Sequence, residues 1–193
     1  EEDRALVRRC LKNDQEAYRE LLHKYRRPVY GLVRRMVRNE EDAVDLSQEA
    51  FIRAFKNLKQ FDQSRKFSSW LFRIANNLCI DHYRKRKLDT VSLVRSGEGS
   101  EDETWDLPDP TAGPGEAFSD LERSRRLVEA IQSLPPGYSS VLVMRHQQDM
   151  AYEEIADALE MPLGTVKARI HRAHKLLKEK LVQEGFDWLP GES

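Results

Sequence analysis

Residues 151–181, AYEEIADALEMPLGTVKARIHRAHKLLKEKL, carry two helical periods with one interruption. Ile155, Ala156 and Leu159 recur at helix spacing, and Met161-Pro162-Leu163-Gly164 then breaks the pattern. Thr165 is placed to cap a second helix, with Val166, Ile170, Ala173, Leu177 and Leu181 as its apolar side. Lys167, Ala168, His171, Arg172 and Lys175 fall on a different stripe, because residues three and four apart share a helix face. A short helix bracing a longer basic one across a tight turn is the arrangement that sets a helix in the DNA major groove. A plain surface hairpin with solvated Lys and Arg has the same local pattern. The remainder of the chain has to decide between them.

That remainder is helical in character. A chain of 193 residues suits one domain of ordinary size or two small ones. Gly and Pro are few and long alternating β-branched runs are missing, so the expected class is all-α. No apolar run has the length needed to span a bilayer, and no basic-then-apolar leader is present. The expectation is a soluble cytoplasmic protein without membrane insertion. Cys10 and Cys79 stand alone, without a CxxC pair, which argues for a reducing compartment and against a structural zinc or a disulfide framework.

Upstream, helices are expected at 3–12, 14–38, 40 to about 60 and from Ser68 or Ser69 to about Lys87, with Asp14 and Asn39 as caps. Pro28 is expected to kink or break the second of these. From about Leu88 to Ala117 the periodicity disappears into a Gly-, Ser-, Pro- and acid-rich stretch, and helices resume at 118–133 and 138–147. A structureless loop this long inside one compact domain is unusual, so it reads as a boundary. The expected organisation is a first domain at 1–90, a flexible acidic linker at 91–117, a second domain at 118–184 and a tail at 185–193. Charge follows the same division: residues 1–90 hold about 21 basic and 14 acidic residues, and 91–122 about 1 and 9. The first segment suits a polyanion, and the second is repelled by one.

Two further stretches carry candidate function. In the third helix Asp45, Gln48 and Glu49 share a polar face beside Arg53, with Val44, Phe51, Phe55 and Leu58 read as its apolar side. Taken alone, such a face is what any solvated helix shows. The next loop and helix combine Phe61, Phe67, Trp70, Phe72 and Tyr83 with Asn76, Asn77 and the basic run Arg84–Lys87. Single-stranded DNA is held by cationic tracks and π-faces or amides of this kind. The helical spacing of Trp70 and Phe72 equally suits core packing.

In order and spacing, DAVDLSQEAFIRAF (42–55), FDQSRKFSSWLFRIANNLCIDHYRKR (61–86) and SLPPGYSSVLVMRHQQDMAYEEIADALEMPLGTVKARIHRAHKLL (133–177) resemble the extracytoplasmic-function, or group 4, bacterial sigma factors of the sigma-70 superfamily. The resemblance covers nearly the whole chain except the linker and tail. It implies two small helical domains, sigma-2 and a helix-turn-helix sigma-4, joined by the acidic linker. It implies core RNA polymerase as partner, with Asp45, Gln48 and Glu49 docking on the clamp coiled coil of the largest subunit and the β flap as a further contact. Asn77 matches the position that reads a flipped −10 base. Phe61 and Asp62 would wall its pocket, Asn76 lies beside it, and Arg84 and Lys85 would neutralise phosphates. Lys167, Ala168, Arg169, His171 and Arg172 match positions facing the −35 element, while Arg145, Tyr152 and Glu153 match positions bracing the DNA backbone.

Two residues depart from the family pattern. Lys167 stands where Arg is commoner, losing the bidentate fork for guanine, and His171 stands where an aromatic or Arg is frequent. The resemblance further implies an anti-sigma factor as partner, a stress or envelope response, and a linker able to lie in the basic channel that later holds RNA. No cofactor is expected. His171 and His174 lack a third ligand at metal spacing, and no phosphate loop, nucleophile elbow or HExxH motif is present, so no catalysis is expected. The alternative reading is a free-standing helix-turn-helix regulator, which has no need of the Asp45–Lys87 run.

Overall fold

The computed structural model describes residues 2–95, 116–183 and 185. Eight α-helices and one short 3-10 turn form among them: α1 (Glu2–Cys10), α2 (Gln15–Met36), α3 (Glu40–Lys56), the turn Leu58–Gln60, α4 (Phe67–Arg95), α5 (Glu116–Ser133), α6 (Pro136–His146), α7 (Tyr152–Leu159) and α8 (Leu163–Gln183). The starts of α2 and α3 follow from side-chain chemistry. The Asp14 carboxylate accepts the N–H groups of Glu16 and Ala17, and the Asn39 side chain accepts that of Asp42 at 2.9 Å.

Of the two outcomes expected at Pro28, a kink or a break, the break does not occur, and α2 runs through it to Met36. A proline inside a helix costs about 3 kcal/mol. Val29, Leu32 and Val33 just beyond it are fully buried, and each such burial stabilises by about 1.5–3 kcal/mol. Packing therefore wins over the local rule. The basic run Arg84–Lys87 likewise fails to end α4, whose backbone stays helical to Arg95; no Gly or Pro occurs until Gly97. Helix therefore crosses the expected boundary at residue 90, α5 takes up the last two residues of the expected linker, and residues 96–115 lie outside the described residues.

The turn between α7 and α8 is built differently from its sequence reading. Glu160, with φ 50°, is the left-handed residue that ends α7, and its N–H reaches back to the carbonyls of Ala156 and Asp157. α8 begins at Leu163, so Gly164 and Thr165 lie in its first turn and Thr165 is not the cap. The apolar side of α8 is as read, with Val166, Ile170, Ala173, Leu177 and Leu181 all buried. Val44 is 39% exposed and stands outside the apolar side of α3.

α1 to α4 pack around α2, and α5 to α8 around the α6–α8 pair. The two halves then pack on one another. α2 rests against α5 and α6, and α4 against α6 and α7. The Gln132 amide donates to Arg34 O at 2.7 Å, and that of Gln148 to Pro28 O at 3.2 Å, both across this seam.

Candidate nucleic-acid and polymerase interface

α3 buries Ala43, Ser47, Ala50, Phe51 and Ala54, which turns Asp45 and Gln48 outward. Glu49 is half-buried and accepts from Arg53 Nε at 2.7 Å. Beside them Val44 and Ile52, the latter 59% exposed, present aliphatic surface. Ile52 and the outward Val44 were not legible as part of this patch, because periodicity assigns apolar residues inward. The face thus mixes acid, amide and open hydrocarbon.

The loop after the 3-10 turn is organised by rings. Phe61 packs edge-on against Phe67 at 5.8 Å and tilted against Trp70 at 5.0 Å, while Tyr25 closes on Phe67 at 5.6 Å. Phe61 is therefore 6% exposed and supports the loop from beneath. Phe72 is buried as well and Trp70 is half-buried. Asp62 is exposed; its Oδ1 accepts the Ser64 N–H at 2.9 Å. Bonds from the Ser64 hydroxyl and N–H hold the Asp62 carboxyl below the usual range, so it is ionised. On α4, Asn77 is exposed, whereas Asn76 is 2% exposed with Oδ1 lacking a hydrogen-bond partner among the described residues. Arg84 and Lys85 are exposed, with Asp81 3.8 Å from Arg84 Nη1.

On α8, Lys167, Ala168, His171 and Arg172 are exposed and no carboxylate among the described residues pairs with them, while Lys175, the last of the stripe, lies 4.0 Å from Glu179 Oε1. Arg169 turns away from it, half-buried beside Gly137. Arg145 is half-buried too: Nη1 donates to Met150 O at 3.2 Å, and the guanidinium lies 5.3 Å from the centre of the Tyr152 ring. These two contacts tie the end of α6 to the start of α7. Glu153 is exposed, and the Tyr152 ring is half-buried.

Sequence reasoning also missed a histidine pair. His146 of α6 and His174 of α8 approach Nε2 to Nε2 at 2.7 Å, so one ring donates and the other accepts. Burial lowers both below 6.5. Arg145 adds to this for His146, against a smaller opposite pull from Asp149, and the neighbouring rings, His146 and His171, add to it for His174. The sign follows: below 6.5 the unfolded chain binds protons that the folded pair resists, so stability is full above that pH and falls beneath it. The melting temperature should drop between pH 7.5 and 5.5, and His146→Gln should flatten that drop. Cys10 and Cys79 are buried, and burial pushes their thiols up to about 11 and about 12, leaving them protonated.

An outward helix with acid and open aliphatic side chains, a ring-braced loop feeding an Asn-bearing helix, and a helix-turn-helix with an exposed basic stripe are parts that suit a promoter-reading transcription factor. Comparison with known proteins specifies which kind. Residues 21–88 match the Sigma-70 region 2 family and residues 124–177 the Sigma-70, region 4 family. The chain is 38% identical over 177 residues to the ECF RNA polymerase sigma factor SigW of Bacillus subtilis, covering 91% of this chain and 94% of that one. It is 32% identical over 192 residues to the RNA polymerase sigma-H factor of Pseudomonas aeruginosa, covering 94% of each. Among solved structures, CnrH in complex with the cytosolic domain of CnrY matches with TM-score 0.69 at 24% identity, over 95% of this chain and 99% of that one, a likeness of fold. The chain belongs to the extracytoplasmic-function sigma factors of the sigma-70 superfamily. It is a sigma factor, which directs core RNA polymerase to promoters and promotes initiation. Among the described residues no helix is long and apolar enough to cross a membrane.

Proposed function

We propose a division of this work among three surfaces. Asp45, Gln48 and Glu49, flanked by Val44 and Ile52, dock on the clamp coiled coil of the largest polymerase subunit; charge complementarity sets the register and the aliphatic pair supplies burial. Asn77 and Asp62 read a base extruded from the −10 element, an amide pairing with a base edge and a carboxylate accepting from an exocyclic amine. Phe61 and Asn76 hold that pocket from beneath, and Arg84 and Lys85 take up phosphates. The α8 stripe of Lys167, Ala168, His171 and Arg172 reads the −35 element, with Glu153 and Tyr152 at the backbone and Arg145 and Arg169 positioning the helices around it.

The observation that carries the reading is the exposed basic stripe on α8, with every apolar residue of that helix's inner side buried beneath it. Core polymerase with the β flap, promoter DNA and an anti-sigma factor are the partners proposed. For the last, the support is the solved complex of RpoE with the anti-sigma factor NepR from Bartonella quintana, TM-score 0.63 at 19% identity, alongside that of CnrH with CnrY. The setting proposed is a stress or envelope response in the cytoplasm.

The test is transcription with core polymerase on genomic templates from the source. Discrete promoter-dependent transcripts are expected; tight duplex binding by the chain alone with no transcript would sink the reading. Within that assay Asn77→Ala should slow open-complex formation while core binding stays at the wild-type level, since Asn77 is exposed and lies on a different helix from Asp45, Gln48 and Glu49.

A further inference from the structure

His146 and His174 bring two imidazole donors to one point. Spacing along the chain offers His174 only His171, three residues back on α8, and the fold adds His146 from the end of α6. The two ring centres stand 4.9 Å apart at an interplanar angle of 62°, and the Nε2 atoms converge to 2.7 Å. Both residues are exposed, so solvent and ions reach the pair. A hydrogen bond alone is a weak reason for this convergence, because water offers each ring the same bond. It also uses the Nε2 lone pair of one ring only, the other Nε2 holding the proton.

A metal ion uses both lone pairs, with the proton of each ring on Nδ1. Imidazole nitrogens bind divalent first-row metals at about 2.0–2.1 Å. Two donors at that distance stand about 2.9 Å apart when they meet the ion at a right angle, and about 3.4 Å apart at the tetrahedral angle. The pair at 2.7 Å is therefore about 0.2 Å short of the right-angle arrangement. Cu2+ and Ni2+ adopt that arrangement with nitrogen and oxygen ligands, whereas Mg2+ and Ca2+ prefer oxygen and gain nothing from imidazole. The local charges permit a cation. Burial holds both rings below 6.5, so at pH 7.5 they are neutral and their lone pairs are free. Arg145 opposes a cation, but its guanidinium is held on Met150 O and the Tyr152 ring, and Asp149 pulls the other way.

We infer that His146 and His174 form a two-imidazole site for a divalent cation of the Cu2+ and Ni2+ class, with water completing the coordination, and that the ion ties α6 to α8. The two ligands are 28 residues apart in the chain, so only the folded arrangement presents them together. Binding therefore stabilises the fold by mass action. The site is separate from the promoter and polymerase surfaces proposed above and stands whether or not their assignments hold.

The untagged full chain at pH 7.5 tests this. NiCl2 at about 1 mM should raise the melting temperature by about 3 °C or more. EDTA should reverse the rise, and MgCl2 at the same concentration should give none. In isothermal titration calorimetry, H146Q and H174Q should each lose at least about tenfold in Ni2+ affinity, since even a lost partner of a ligand costs that much. H23Q, which changes an exposed histidine of α2, should shift it by less than about twofold. Circular dichroism establishes that all three variants are folded, and both ligand side chains are exposed, so neither substitution opens the core. No rise in the wild-type chain overturns the inference and leaves a hydrogen-bonded pair only. Equal Ni2+ affinity in all three variants overturns it too, placing the ion elsewhere. Loss in one of H146Q and H174Q without loss in the other overturns the bridge between α6 and α8. None of these readouts involves polymerase or DNA, so the transcription assay judges the sigma-factor surfaces separately.

Discussion

Phe67→Ala lowers the stability of the folded chain by about 3–5 kcal/mol, the range for truncating a buried phenylalanine. Phe67 is 2% exposed and sits where Tyr25 of α2, Phe61 of the loop and Trp70 of α4 converge, with ring centres 5.6, 5.8 and 5.9 Å away. Losing it removes the transfer free energy of one ring, leaves a cavity, and forfeits edge-to-face contacts worth about 0.5–1.5 kcal/mol each. For a chain of this size the melting temperature falls by roughly 6–20 °C. Urea denaturation with an unchanged slope measures it, and Phe67→Leu, which refills much of the space, should cost far less. A Phe67→Ala chain as stable as wild type would show that the ring cluster does not organise the loop.

Arg172→Ala should cost about 1–3 kcal/mol of discrimination at one position of the −35 element, if the guanidinium contacts a base edge as proposed. That is roughly 5- to 150-fold. The side chain is exposed on the basic stripe and its neighbour Ala173 is buried, so truncation leaves the packing of α8 alone. Competition binding across a set of single-base variants of the −35 element gives the answer. Loss confined to one position marks a base contact; an equal loss across all sequences, with a shallower salt dependence, marks a phosphate contact. Lys167 would show the second pattern more readily, as a point charge without the planar fork of Arg.

Much of the fold was legible in local pattern. The buried side of α8, the capping of α2 by Asp14 and of α3 by Asn39, and the all-helical class follow from interactions within a turn or two of sequence. The misreadings share a cause. A break at Pro28 stood beside a kink as an expected outcome because the local cost of proline is visible and the compensating burial of Val29, Leu32 and Val33 is not. Val44 was placed inside because periodicity sorts residues by type, whereas α3 has more apolar residues than its buried face takes up. Thr165 looked like a cap, yet the left-handed residue is Glu160 and α8 starts ahead of the threonine.

The candidate site divides the same way. Asp45, Gln48, Asn77, Lys167, His171 and Arg172 could be picked out from helix spacing and family pattern, and each is an exposed side chain. That Phe61 and Asn76 are buried, and that Arg145 and Arg169 are turned to internal contacts, depended on neighbours from other helices.

The amino-acid sequence by itself determined eight helical segments, their buried stripes, the basic face of α8 and membership of the sigma-factor family. Each of these is written in residues a few positions apart or in motifs in fixed order. Only the tertiary structure decided that the two halves close on each other, with α7 acids on α4 and loop cations and His146 against His174. The reason is separation. Lys66 and Glu154 stand 88 residues apart, and a Lys in a loop and a Glu in the first turn of a helix are each ordinary by themselves. Nothing in their spacing pairs them until the chain has packed.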